Sequence, residues 1–178
     1  MAYRFPLAHW KNRCVTTHGF IRFIADSEAR DSYSHCDSGP YDLGVSVLRW
    51  LRAESMEPDR LHSAINRLRI VNDDTGPWPA AADVARFQHY IDRAVGNPAE
   101  QWYALLRGTQ GDPAAILDCG YVVYEDDDPW GWVYEINADD RTFSVGFDDS
   151  KRVTWRWSAL PADGQFEQEA GQLGPNNY

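Results

Sequence analysis

Between Tyr33 and Gly44 the chain gathers an imidazole, a thiol, two carboxylates and several hydroxyls around a Gly-Pro turn: Tyr33-Ser34-His35-Cys36-Asp37-Ser38-Gly39-Pro40-Tyr41-Asp42-Leu43-Gly44. In an extended segment His35 and Asp37 fall on one face while Cys36 points away. A carboxylate beside an imidazole can orient the ring and raise its basicity, which is the minimum equipment for general-base chemistry. Ser38 or Thr17 is then a candidate for the activated hydroxyl. Cys14 and Cys36 are candidate thiol nucleophiles, since a nearby His18 or His35 would favour the thiolate. The catalytic candidates are therefore His35, Asp37, Ser38, Thr17, Cys14 and His18. A structural account competes with each of them. Asp and Ser also satisfy backbone groups in turns and cap helices, and cysteine also serves as a small buried hydrophobe.

The elements that must hold this stretch are legible on either side of it. Val15 to Ile24 is rich in β-branched and aromatic types and reads as a strand. Asp26-Ser27-Glu28-Ala29 reads as a turn, and Arg30 to His35 as the returning strand of a hairpin. Tyr41 to Arg52 has helical spacing, with Asp42 at the N-cap position. Pro58 opens a second helix carrying Leu61, Ile65, Leu68 and Ile70. A loop follows from Val71 to Pro79. A third helix is expected over Ala80 to Ala94, a fourth from Pro98 to Gly108, and a short helical turn after Asp112-Pro113.

From Cys119 onward the pattern is β. Tyr121 to Tyr124 is a short strand, and Trp132 to Ile136 with Arg141 to Val145 flank a hairpin turn. Val153 to Trp157 is the last strand. Strands, a helical middle and strands again predict an α+β fold: a mostly antiparallel sheet covered by the helical segment. The expected organisation is one globular domain over residues 1–160 and a loosely held tail over 161–178, which is rich in Gly, Gln and Asn.

The arrangement resembles an uncharacterised family of small proteins found in bacteria, phages and fungi. Its members open with a Thr-Arg-Gly strand, carry an Asn-His-x-Asp-Ser-Tyr-Pro stretch and close with a Trp-x-Tyr-x-Ile-Asp hairpin. The matching residues are Thr17-His18-Gly19-Phe20, Ser34-His35-Cys36-Asp37-Ser38 with Asp42-Leu43-Gly44, and Trp132-Val133-Tyr134-Glu135-Ile136-Asn137. Three positions depart from it: His18 replaces the Arg, Ser34 the Asn, and Gly39-Pro40 the Tyr-Pro pair. The resemblance covers about Val15 to Val145. It implies one domain and marks the His35 stretch as the place to look, without implying an activity.

Composition narrows the partners. A formal net charge of -10 argues against generic nucleic-acid binding and against docking on anionic membranes. The expected partner is a small polar molecule or a basic protein. No run approaches a membrane span in length, and the opening residues lack a signal-peptide pattern, so a cytoplasmic location is expected. The three cysteines are widely spaced, so neither a disulfide framework nor a zinc site is expected, and no cofactor is implied. The acidic runs Glu125-Asp126-Asp127-Asp128, Asp139-Asp140 and Asp148-Asp149 lack the spacing of a calcium loop and read as solvated turns. Tyr33, Trp130 and Trp132 are candidate binding residues. The pairs Trp130/Trp132 and Trp155/Trp157 each share a strand face and could form an aromatic platform or a core layer.

Two readings follow. One is a small hydrolase or transferase working through a His35/Asp37 pocket on a polar substrate. The other is a non-catalytic acidic protein of accessory, immunity or anti-defence type that occupies a protein partner.

Overall fold

A computed structural model describes residues 17–123, 131–148 and 151–174. Strand β1 (Gly19–Ala25) and strand β2 (Glu28–Ser34) form the expected hairpin. Ala25 pairs with Glu28, and the two residues between them, Asp26 and Ser27, both have positive φ (54° and 62°). Two left-handed residues in a two-residue loop match the right-handed twist of the flanking strands, so this turn fixes the register of the whole hairpin.

Strands β1 and β2 belong to a five-stranded sheet with β5 (Trp132–Asn137), β6 (Thr142–Phe147) and β7 (Arg152–Arg156), in the order β2-β1-β5-β6-β7. All neighbours are antiparallel except β1 and β5, which run parallel. The α+β expectation holds, with a mixed and mostly antiparallel sheet. A parallel neighbour requires a long crossover, and the helical middle of the chain supplies it.

Alternation along the strands gives the sheet two unlike faces. Ile21, Phe23, Trp132, Tyr134, Ile136, Phe143 and Val145 share one face and join the main core. Helix α1 (Val45–Glu54) adds Val47, Leu48 and Leu51 to it, and α2 (Pro58–Asn66) adds Leu61 and Ile65. The opposite face carries polar pairs: Arg22 with Asp31 at 2.7 Å, Arg152 with Glu135 at 2.8 Å, and Ser144 with Thr154 at 2.9 Å.

Three expectations need correction. Residues 161–178 do not all form a loose tail. Helix α6 (Asp163–Gly171) buries Phe166 and Ala170 completely against the sheet, and Asp163 accepts hydrogen bonds from Arg49 (2.7 Å) and Arg52 (2.6 Å) of α1. Polar composition hid a helix that needs only two apolar anchors. The third and fourth helices are also much shorter than their spacing suggests: α3 is Ala81–Arg86 and α4 is Trp102–Leu106. Together with α5 (Pro113–Cys119) and the two-stranded parallel sheet of β3 (Arg69–Val71) and β4 (Tyr121–Val123), they surround a smaller core of Phe87, Trp102, Leu105, Leu106 and Cys119. Ile70, expected in a helix, sits in β3 and is exposed. Among the described residues, no helix is long and apolar enough to cross a membrane.

Candidate functional site

The hairpin register builds the site. Gly19 and Ser34 are the last paired residues of β1 and β2, so one step further His18 faces His35. Their ring centroids are 5.2 Å apart, edge to face. Tyr33, two residues before His35, shares its face, and its ring stacks at 5.7 Å on His18. Its hydroxyl lies 2.5 Å from His18 Nδ1 and 3.1 Å from His35 Nδ1. One phenol thus bridges two imidazoles. A phenol has a single proton, so it donates to one ring nitrogen and accepts from the other. Phe20 backs the cluster, 5.4 Å from the Tyr33 ring. The Nε2 atom of His35 makes no hydrogen bond among the described residues, and the side chain is part-exposed.

The charge around His35 favours its neutral form. Partial burial lowers its pKa below the usual imidazole value, and repulsion from the Arg107 charge, and from His18 when that ring is protonated, lowers it further. Arg107 follows α4, donates to the side-chain oxygen of Gln110, and lies over Tyr103 with its guanidinium carbon 5.6 Å from the ring centroid. Among the described residues it has no carboxylate within ion-pair distance. The next turn places Gly111 beside β2, where a Cβ would stand 3.4 Å from Ser34 Oγ. A cavity of about 10 Å³ is lined by Ser32, Tyr33, Tyr103, Thr109, Gln110 and Tyr121 among others, and has room for roughly one water molecule.

The remaining candidates from the sequence are placed differently. Asp37 is not beside His35. The strand ends at Ser34, and Asp37 adopts a left-handed conformation (φ 51°), so the two-residue alternation that would align it with His35 does not continue. Its side chain is exposed, and its carbonyl accepts from Leu43 N at 3.2 Å. The partner of His35 is Tyr33. Ser38 is fully buried: its Oγ donates to the Ser34 carbonyl (3.1 Å) and the Cys36 carbonyl (3.4 Å), while its own carbonyl accepts from Tyr134 Oη at 2.7 Å. That hydroxyl is a structural staple. Thr17 meets Ser38 through the backbone, accepting from Ser38 N at 3.2 Å.

Cys36, a candidate thiol nucleophile in the sequence, is disulfide-bonded and presents no free thiol. Cys119 is free and buried, and burial pushes its thiol pKa up. Cys14 and Trp130 lie outside the described residues, as does the acidic run 125–128. Trp132 is only 2% exposed, and Trp157 is buried. Trp155 stacks on Phe143 at 6.0 Å, so these tryptophans form a core layer instead of a platform.

Arg107 and Gln110 went unnoticed in the sequence because nothing local connects residues 107–111 to the hairpin. The histidine pairing was within reach. Reading Asp26-Ser27 as a two-residue turn makes Ala25 pair with Glu28, and counting outward brings His18 opposite His35.

Elsewhere, Asp26, His62 and Asp139 bring one ligand-type atom each within 4.8 Å of one another. Asp139 has a structural task there. Its two oxygens accept from the backbone N–H groups of Asp26 (2.9 Å) and Ser27 (2.8 Å), and Oδ1 also lies 3.0 Å from His62 Nε2. A groove of about 320 Å³ between α1, α2 and α5 includes Trp50, Leu61, Arg67 and Asp118, and none of the sequence candidates lines it.

Comparison with family models, with curated proteins and with solved structures finds no match to this chain.

Proposed function

We propose that this protein is a small hydrolase or transferase that acts by general acid–base catalysis on a polar substrate, with His35 as the base. The observation that carries this reading is the Tyr33 hydroxyl within hydrogen-bond distance of both His18 Nδ1 and His35 Nδ1. With the shorter contact made by the phenol proton, the order is His35 Nδ1–H to Tyr33 oxygen and Tyr33 O–H to His18 Nδ1. This tautomer leaves a lone pair on His35 Nε2, the atom without a partner among the described residues. Burial and the charge of Arg107 bias the ring toward its neutral form, as a base requires. Tyr33 takes the orienting role that the sequence suggests for Asp37.

The test compares His35→Ala and Tyr33→Phe with the parent across a panel of chromogenic esters, phosphoesters and glycosides, with thermal melting as a control. The expected result is a substrate whose turnover falls about 10²- to 10⁴-fold in His35→Ala while folding is retained. A parent inert on every class would overturn the reading.

A second reading, a non-catalytic binding protein for a basic partner, is favoured by the net charge of -10 and by the small size of the cavity beside Tyr33. Loss of a captured partner on neutralising exposed carboxylates, with His35→Ala still binding, would select it.

A further inference from the structure

We infer that the substrate is a small phosphodiester carrying its own nucleophilic hydroxyl, as a ribonucleoside 3′-phosphodiester does, with Arg107 as its phosphate anchor and Tyr33 as a proton relay. The inference rests on the acid–base reading above and specifies what that site acts on.

Three features lead to it. The first is the nucleophile. Ser38 is buried and bonded, and Cys36 is in a disulfide, so neither offers a reactive group to His35. Among the described residues the one side-chain hydroxyl hydrogen-bonded to His35 is that of Tyr33, on Nδ1, so His35 Nε2 is placed to activate water or a hydroxyl of the substrate. The second is the stabilising group. Acyl transfer needs converging N–H donors for an oxyanion, but the N–H groups of Ser38, Asp42, Leu43 and Gly44 are taken by carbonyls within and beside the turn. Gln110 and Tyr103 line the cavity beside Tyr33, and both touch the guanidinium of Arg107. Gln110 holds it in position, and it is not neutralised by a carboxylate among the described residues. Its planar fork of donors suits the non-bridging oxygens of a phosphate. The third is size. A chain of net charge -10 repels a long polyanion but not one phosphodiester held by one arginine.

The relay closes the proton balance. His35 Nε2 takes the proton of the substrate hydroxyl, whose oxygen forms a bond to phosphorus. The phosphorus–oxygen bond to the leaving group breaks, and the leaving oxygen receives the proton of His18 Nε2. The Nδ1 proton of His35 passes to Tyr33, and the Tyr33 proton passes to His18 Nδ1. Both imidazoles end neutral with their tautomers exchanged. The products are a cyclic phosphodiester and an alcohol.

The experiment uses the full chain with four probes: uridine 3′-(4-nitrophenyl phosphate), its 2′-deoxy counterpart, uridylyl-(3′→5′)-adenosine and 4-nitrophenyl acetate. The ribo ester should turn over, with the 2′-deoxy ester at least about 100-fold slower. Arg107→Ala should lower turnover of both ribo substrates about 10²- to 10³-fold, and Arg107→Lys should restore it only partly. His35→Ala should abolish both. Tyr33→Phe and His18→Ala should harm the dinucleoside more than the nitrophenyl ester, because nitrophenolate leaves without needing a proton. Equal turnover of the 2′-deoxy ester, inert phosphodiesters, or indifference to Arg107→Ala would overturn the inference. If the acetate alone is cleaved, and cleaved only with His35 present, the phosphodiester assignment falls while the acid–base reading stands. If all four probes are inert, the assignment fails, and the wider ester and glycoside panel decides the acid–base reading on its own.

Discussion

The two faces of the five-stranded sheet treat hydroxyl groups in opposite ways. On the face that joins the main core, Tyr134 is fully buried and its hydroxyl donates to the carbonyl of Ser38, whose own hydroxyl closes the turn onto Ser34. Burial pushes the Tyr134 pKa well above its ordinary value, so this phenol stays protonated and serves as a strut. On the other face Tyr33 is only half buried, and its hydroxyl meets two imidazoles, groups that exchange protons near neutral pH. The same side-chain type is fixed in one place and poised in the other. Its position in the pleat decides which.

The sharpest way to break this comparison is to damage each face in turn. Phe23 lies at the centre of the core face with no exposed surface. Phe23→Ala should cost about 3–5 kcal/mol in denaturant unfolding, the loss of a buried aromatic plus the cavity it leaves. Tyr33→Phe removes one partly exposed hydroxyl and should cost about 1 kcal/mol or less. If Tyr33→Phe proved as destabilising as Phe23→Ala, the His18–Tyr33–His35 cluster would be a structural element, and the case for chemistry there would be weak.

A second pair of substitutions tests how tightly the turn is tied to the sheet. A Cβ on Gly19 would stand 2.6 Å from Ser38 Cβ and 2.9 Å from the Trp132 carbonyl oxygen. The carbonyl belongs to the backbone of β5 and cannot swing away. Gly19→Ala should therefore cost about 1–3 kcal/mol, the usual penalty for overpacking, and should shift His18, its immediate neighbour. Tyr134→Phe leaves the buried Ser38 carbonyl without its donor, at a similar cost of about 1–3 kcal/mol. It acts on the core face alone, so any activity assigned to the His35 cluster should persist in it. Unfolding midpoints paired with turnover separate the two outcomes.

How much of this was legible in the sequence depends on the range of the interaction. The hairpin strands, the helix after Gly-Pro and the β5–β6 hairpin follow from alternation and turn residues, which are local signals. The joining of β1 to β5 in parallel was not legible, because periodicity says which faces are apolar and nothing about which strands meet. Phe166 and Ala170 lie in a segment too polar to advertise a helix. Residue type also singled out His18, Tyr33 and His35, which the hairpin brings together. The assumption that an extended backbone continued through Asp37 then assigned His35 the wrong partner, since one left-handed residue is enough to cancel the alternation. Arg107 could be found only once the chain was folded.

The smallest expected effects are in acid, and they distinguish the two ends of the hairpin. His35 has its pKa lowered by burial and by the Arg107 charge, so the folded state disfavours its protonation. Its contribution to stability is present above the unfolded value of about 6.5 and is lost as the pH falls through the folded pKa. At the other end Asp139 has its pKa lowered, first by the Ser27 backbone N–H, then by that of Asp26 and by His62. That contribution is present above the carboxylate's ordinary value of about 3.9 and is lost as the pH falls below it. The melting temperature of the parent should therefore decline in two stages. His35→Gln should flatten the upper stage and leave the lower one, while Asp139→Asn should flatten the lower stage and leave the upper. A parent curve with no slope between pH 6.5 and 5, unchanged in His35→Gln, would mean that folding does not perturb this imidazole. His35 would then lack the bias toward the neutral form that the proposed role as a base requires.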